Sequence, residues 1–312
     1  MYNIFYLTIY INMLYYRQLA IMPAKQRGEE MNVYEIVTDR IIEQLSQGKV
    51  PWRKPWNTET GKPRSIHGHY YQGINLFLLA CSNYSSPIWL TYDQAAKHGG
   101  HVKKGEKSTL VTFWKRIEKQ VEGETETFPI LRYYSVFNLD QCENVSVPEK
   151  LISKEQTTFT HDSIQAAESV INNMPNKPVC QSIKQDSAYY KPSEDVVNVP
   201  DKSHFPILEE YYSTYFHELA HSTGHVSRLN RGEIMDHNFF ASHAYSKEEL
   251  TAEMTACYLN TTCGIETKTE ENSIAYLQSW ISRLKNDSKF IITAASKAQK
   301  AADYILIAQV QP

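Results

Sequence analysis

Residues Tyr215 to His225 read YFHELAHSTGH, two histidines four apart with a glutamate directly after the first. On an α-helix that spacing brings His217 and His221 to one face, where two imidazole nitrogens can hold one zinc ion. Glu218 then reaches a water on that metal, so the motif proposes a metal, a nucleophile and a base together. With eleven histidines in 312 residues, the pattern arises by accident in roughly a few per cent of such chains. The flanks reduce that figure. From Glu209 to Ala220 the run is compatible with a helix, and neither Gly nor Pro interrupts it before Gly224.

A catalytic zinc keeps three protein ligands and an open fourth position, so one more ligand has to arrive from elsewhere. The metzincin form HExxHxxGxxH would place a histidine at position 227, which is Ser227, and His225 falls two positions early. Residues 246–260, SKEELTAEMTACYLN, supply a carboxylate instead. Ser246 is suited to cap a helix there, Glu249 and Glu253 lie one turn apart on one face, and Leu250, Ala252, Ala256 and Leu259 give it an apolar side. The assignment expected is Glu249 on the metal and Glu253 behind it, orienting a ligand histidine. Glu248 is the alternative ligand, and an acidic solvated face is the alternative use of this helix. With these ligands the metal acidifies its water, Glu218 takes the proton, and the hydroxide attacks a polarised carbonyl. Peptide hydrolysis is the default chemistry of such a site. A nucleobase deaminase needs HxE with PCxxC, and the chain has neither.

The length admits two domains, and 42% hydrophobic residues permit proper cores. A net charge of −3 argues against nucleic-acid binding by overall charge and against an acidic DNA mimic. Five cysteines (Cys81, Cys142, Cys180, Cys257, Cys263), odd in number and without CxxC spacing, read as thiols of a reducing cytoplasm. Residues 1–22 are apolar and aromatic but are interrupted by Asn3, Asn12, Arg17 and Gln18, with no basic leader and no cleavage site. They read as an extension outside the fold, with a weak signal anchor as the alternative. Residues 1–30 are therefore set apart, and no membrane partner is expected. Met31 opens an amphipathic helix in which Val33, Ile36, Val37, Ile41 and Leu45 share a side and Gly48 marks the end.

Charge is distributed unevenly. Between Lys49 and Arg116 eleven Lys or Arg stand against three acids, interleaved with Trp52, Trp56, Tyr70, Tyr71, Trp89, Tyr92, Phe113 and Trp114. Cations that track phosphates beside aromatic faces that stack on bases make a surface for single-stranded DNA. The residues assigned to it are Arg53, Lys54, Trp56, Arg64, Tyr71, Asn75, Trp89, Lys103, Lys104 and Lys107. Composition leaves open that the tryptophans are core and the lysines merely solvated. Alternation in Leu110–Arg116 and Arg132–Leu139 predicts antiparallel strands, joined by a polar connection over Lys119–Thr127. Thr91–His98 predicts a short capped helix before the Gly99-Gly100 turn, and Asp140–Thr160 reads as a linker. Tyr190–Pro200 alternates around a turn at Pro192–Asp195, an exposed strand that can pair with an extended peptide. The Ala-rich stretch Ala275–Ile305 predicts helices with Trp280, Leu284 and Ile292 in the core.

Several segments in one order resemble a known family. VPWRKPW (Val50–Trp56), YYQGIN (Tyr70–Asn75), WLTYDQAAKHGGHVKKGEK (Trp89–Lys107) and VFNLDQC (Val136–Cys142) are similar to the N-terminal single-stranded-DNA-binding domain of ArdC-type antirestriction proteins, shared with some TraC primases. YKPSEDVVNVP (Tyr190–Pro200), HELAHSTGH with Arg228 and Leu229, YSKEELTAEMTA, and the stretches from Ala275 and from Ala294 resemble that family's zincin-like metallopeptidase domain. The resemblance implies an α+β fold: a mixed α/β DNA-binding domain over 31–147, a linker over 148–160, and a zincin-like domain over 161–312. It further implies a cytoplasmic protein of a mobile genetic element that binds single-stranded DNA and protects entering DNA from restriction. Its Zn2+ would be held by His217, His221 and a glutamate matching Glu249; a protein or peptide substrate is what the HExxH chemistry itself, and not the resemblance, calls for. The competing function is a DNA-binding protein in which the zinc is structural. Glu218 favours catalysis, because a structural site has no use for a base there.

Overall fold

The computed structural model describes residues 32–53, 61–82, 84–121, 124–152, 163–232, 243–266 and 274–306. Helix α1 (Val33–Ser46) starts where the sequence caps it: Asn32 accepts the N–H groups of Tyr34 and Glu35, and the Glu35 carboxylate accepts the Asn32 N–H. There follow β1 (Arg64–Ser65), α2 (Ile74–Ala80), β2 (Ile88–Leu90), α3 (Tyr92–Lys97), β3 (His101–Val102), β4 (Thr109–Val121), β5 (Glu124–Asn138), β6 (Cys142–Glu143) and α4 (Glu149–Ile152). A sheet in the order β1-β2-β5-β4 carries this half, with β3 and β6 paired separately. Thr91 and Gln94 close the expected capping box on α3.

The second half runs α5 (Ser163–Asn173), β7 (Val179–Gln181), β8 (Tyr189–Lys191), β9 (Val196–Asn198), α6 (Leu208–Ser222), α7 (His243–Cys263), α8 (Ile274–Asn286) and α9 (Phe290–Leu306). Its sheet has the order β7-β9-β8, so β8 is an edge strand, and the β8–β9 turn falls on Pro192–Asp195 as expected. Helix α6 is the metal-motif helix. Glu209 and Glu210 sit in its first turn, where carboxylates favour the helix dipole. Helix α7 packs against both α6 and α9. The α+β architecture matches the expectation from the sequence.

Three local expectations change. Helix α7 begins at His243, so Ser246 lies a turn inside it, buried, and is no cap. The residues read as a polar connection, Lys119–Thr127, continue the ladder out to Val121 opposite Glu124, because alternation in Thr/Glu-rich strands lacks the apolar signal that marks half-burial. The stretch read as a linker contains β6 and α4, while 153–162 and the extension 1–30 lie outside the described residues.

One hydrophobic core runs through both halves. It joins Ile41, Leu45, Trp52 and Phe77 to Tyr212, Leu219, Leu250, Met254, Trp280 and Phe290. Phe77 stacks on Tyr258 with ring centroids 5.2 Å apart, and Trp52 meets Trp280 edge-on at 6.0 Å. Polar bonds cross the same boundary: Thr38 Oγ1 donates to Ser288 O (2.8 Å), Gly73 N to Gln299 Oε1 (3.0 Å), and Tyr258 OH to Gly73 O (3.1 Å). A smaller cluster of Ile66, Ile88, Leu90, Ala95 and Leu151 belongs to the N-terminal half alone. The five cysteines are free, and among the described residues no helix is long and apolar enough to cross a membrane.

Candidate metal centre and basic face

Helix periodicity puts His217 and His221 on one face of α6, and α7 crosses that face with Glu249. The two Nε2 atoms are 3.1 Å apart. Glu249 sets one carboxylate oxygen 3.5 Å from Nε2 of His217 and the other 3.5 Å from Nε2 of His221. Ligands at tetrahedral positions on a cation with bonds of about 2.0–2.1 Å stand roughly 3.3–3.4 Å from one another. The three side chains therefore fit a divalent metal, and among the described residues they form the single group of this kind. All three retain partial exposure, which leaves the site open on one side.

Glu218 is buried beside this trio. Burial lifts its carboxyl pKa above the ordinary range; His221 and His217 pull it back, and the backbone N–H of Tyr190 in β8 bonds to the charged form. His217 is pulled both ways. Burial disfavours its charged ring, but the hydrogen bond to Glu249 and the charges of Glu218 and Glu249 outweigh that and raise its pKa.

The acid set against a ligand histidine from behind is Glu248. Its Oε1 lies 3.5 Å from Nδ1 of His221, whose Nε2 faces the metal position. Glu253, expected in that role, instead accepts hydrogen bonds from Trp52 Nε1 (2.9 Å) and Tyr276 OH (2.6 Å). Neighbours on a helix are about 100° apart, so Glu248 swings toward α6 while Glu253, a turn beyond Glu249, meets the N-terminal half. Glu248 is fully buried and would be costly as a lone charge. Arg231 supplies the counter-charge, with Nε 3.0 Å from Oε2 and Nη2 on Oε1. Burial pushes the Glu248 pKa up, but His221 and Arg231 overcome it and hold the carboxyl below its usual range. Arg231 also donates to Thr223 Oγ1 and to Ala220 O, fastening the C-terminal turn of α6. Sequence reasoning missed this residue, since nothing in a lone arginine ten positions after His221 marks it as buried.

A second arginine positions the sheet edge. Arg228 Nε donates to Ser222 O at the end of α6 (2.7 Å), and its guanidinium pairs with Asp195 in the β8–β9 turn, Nη1 to Oδ2 at 3.0 Å. Tyr190 OH donates to Asp195 Oδ1 (2.8 Å). These bonds tie β8 to the helix that carries Glu218. His225 bonds to Ser227 and does not join the metal group.

The residues assigned to DNA are dispersed in kind. Lys54 and Trp56 lie outside the described residues. Trp89 and Tyr71 are buried, packed in the main core, and offer no ring face to a base; the stacking role read for them gives way to packing, because a large aromatic ring fills a core as readily as it stacks on a base. Asn75 clamps the edge of β4 at Thr112, donating to its carbonyl (2.8 Å) and accepting its N–H (2.7 Å). Arg64 is half-buried and donates to Leu151 O. Arg53 lies over the Tyr276 ring at 5.3 Å. Lys103 donates to Asp140 O, while Lys104 and Lys107 are exposed. The exposed aromatics of this half are instead Tyr70, Tyr92, Phe113, Trp114, Phe128, Tyr133 and Tyr134, mostly on the β4–β5 hairpin.

Comparison with known proteins agrees with the geometry. A family model described as a zincin-like metallopeptidase matches residues 165–297, and one described as the N-terminal domain of anti-restriction factor ArdC matches residues 31–137. The zincin-like match implies a divalent metal at the trio. The metal-free crystal structure of the antirestriction ArdC protein from plasmid R388 superposes with a TM-score of 0.71 at 35% identity, over 90% of this chain and 100% of that one. Its Mn(II)-bound structure gives 0.71 at 34% identity, over 90% and 99%. DNA primase TraC of Escherichia coli is 35% identical across 88% of this chain, and an uncharacterised protein of Sinorhizobium fredii is 29% identical across 88% of this chain and 91% of its own length. The chain spans 27% and 20% of the length of the two TraC primases it matches. With both domain models in order and a solved antirestriction protein matched along its whole length, the chain belongs to the ArdC family of antirestriction proteins.

Proposed function

We propose that this antirestriction protein binds single-stranded DNA through its N-terminal half and hydrolyses a peptide bond at a zinc held by His217, His221 and Glu249. The observation that carries the catalytic reading is Glu218: a buried carboxylate beside an open His-His-Glu trio is a base without purpose in a structural site. Bound at the trio, the cation would acidify a water and polarise a carbonyl. Glu218 is the group that would take a proton there, and its raised pKa would suit it to pass the proton on to a leaving amine. Edge strand β8 lies beside Glu218 through the Tyr190 N–H, where an extended peptide can add as a further strand. Glu248 and Arg231 fix the His221 ring, and Glu249 completes the donor set.

Two nitrogens and a carboxylate suit zinc, and they also accept manganese, the ion in the R388 relative. Equilibrium binding of Zn2+ against Mn2+ to the metal-stripped protein decides which ion it prefers. The DNA reading is supported by the ArdC-type N-terminal domain, by the TraC relatives and by the basic surplus between Lys49 and Arg116. Free thiols throughout agree with action in the cytoplasm of a cell that carries a mobile element.

The test separates base from ligand. Glu218→Gln should lose peptidase activity by three or more orders of magnitude while retaining its metal, whereas His217→Ala should lose the metal itself. Protection of DNA from restriction that survives Glu218→Gln unchanged would remove hydrolysis from the protein's role and leave the structural-metal reading.

A further inference from the structure

Strand β5 pairs with β2 at Phe137 and Asn138 alone, so the remainder of the β4–β5 hairpin stands out as a two-stranded ribbon. Asn75 covers the edge of β4 at Thr112, and beyond that point both edges are free of partner strands among the described residues. Pro129, opposite Arg116, removes a donor from the outer part of β5 and discourages pairing with another strand. Edge-to-edge addition is thus the less favoured use of this ribbon, and its faces remain.

Register assigns the side chains to faces. Phe113, Lys115 and Ile117 of β4 share one face with Arg132, Ile130 and Phe128 of β5, directly opposite them, and with Tyr134. Phe113 and Tyr134 are about two-fifths exposed and meet edge-on at 5.8 Å. Lys115 and Arg132 are exposed and have no ion-pair partner among the described residues. From Val111 to Ile117 and from Phe128 to Val136 this face holds two cations and no acid. Over the same rows the other face holds one cation, Arg116, and Trp114 there is engaged edge-on with Tyr34 of α1; acids enter both faces only farther out, at Glu118 and Glu126.

Exposed rings on a strand are costly in water unless something covers them. On each strand a ring is followed by a cation, Phe113 by Lys115 and Tyr134 by Arg132, at about 6.7 Å per same-face step, with Ile117 and Ile130 beyond them. A protein surface would meet this pattern with acids and apolar groups in fixed positions. An unpaired strand of bases and phosphates meets it in any sequence. We infer that the Phe113–Tyr134 face of the β4–β5 ribbon is where this chain takes a single strand of DNA, bases against Phe113 and Tyr134, phosphates against Lys115 and Arg132. The inference rests on the single-strand reading of the N-terminal half and moves it from the buried Trp89 and Tyr71 to the hairpin.

The test is fluorescence anisotropy of a labelled oligothymidylate with the full chain. Phe113→Ala should weaken binding about tenfold. Lys115→Ala with Arg132→Gln should lower the slope of log affinity against log salt by about 1.4, two contacts at roughly 0.7 each. Arg40→Ala, on α1 and outside the basic stretch, should leave affinity unchanged; thermal melts establish that each variant is folded. Wild-type binding that the Phe113 and Lys115/Arg132 variants retain in full overturns the ribbon assignment while leaving single-strand binding intact. No binding by the wild type removes the reading beneath it. A dimer broken by these same substitutions at unchanged DNA affinity also overturns it and makes the face an interface between copies.

Discussion

Arg231 carries two loads at once, the charge of Glu248 and the last carbonyls of α6. Replacing it with Leu leaves Glu248 buried without a counter-charge, at a cost on the order of 3–5 kcal/mol. Because Arg231 then no longer fixes the Glu248 carboxylate that faces Nδ1 of His221, metal affinity should fall by about 10- to 100-fold. Thermal melting reads the first effect and metal titration the second; a variant that loses stability but keeps full affinity would limit Arg231 to the fold. Asp195 offers a pH signature. Burial raises its pKa, yet bonds from Arg228 and Tyr190 win and hold it below the ordinary carboxylate value. A folded pKa below the unfolded one contributes stability that is present above about pH 4 and lost as pH falls through the folded value. Arg228→Ala should lower stability above about pH 4 and so flatten the acid limb, measured by denaturant melts across pH 2–6, with the smallest loss at the acid end where Asp195 is protonated. At this scale the candidate trio was legible in the sequence, His217 and His221 because HExxH is a local pattern and Glu249 because a helix one segment later offers a carboxylate. The arginines were not, since burial of a charge is decided by distant packing.

Among the elements, α3 and β3 meet β6 with no room to spare. A Cβ on Gly100 would overlap the Glu143 carbonyl oxygen and the Val145 amide, both backbone atoms that cannot rotate away. Gly100→Ala should therefore cost about 2–3 kcal/mol, while Gly48→Ala, at the open end of α1, meets no neighbour and strains only its positive φ. Comparison of the two melting temperatures checks the claim, and an equal loss at both sites would show that the close approach at Gly100 relaxes. The sequence announced the Gly99-Gly100 turn and the cap at Thr91, because turn and cap chemistry is local. It understated the β4–β5 ribbon. Polar strands that face water on both sides carry no period-2 apolar signal, so their pairing shows only in the register.

For the whole molecule, the shared core sets the behaviour. Two family models divide the chain, yet Trp52, Phe77 and Ile41 sit in the same cluster as Leu250, Trp280 and Phe290. Trp52 also donates to Glu253, one turn beyond Glu249 of the candidate metal trio. Burial raises the Glu253 pKa, and the Tyr276 and Trp52 donors offset part of that. Domain boundaries follow motif order in a sequence, whereas contact between halves depends on long-range packing that no segment encodes alone. Separate cores would unfold in separate steps; a common core couples them. Calorimetry of the full chain should give one main transition. A metal bound by the native trio should shift the whole of it upward, by about 2.7 kcal/mol at a hundredfold excess over Kd. Trp52→Phe, which removes the indole donor and leaves Glu253 with Tyr276, should lower that transition by about 1–3 kcal/mol without splitting it. Two resolved transitions, with only the later-half one responding to metal, would mean that the halves fold apart and that the contacts at Trp52 and Phe77 are a docking of finished domains.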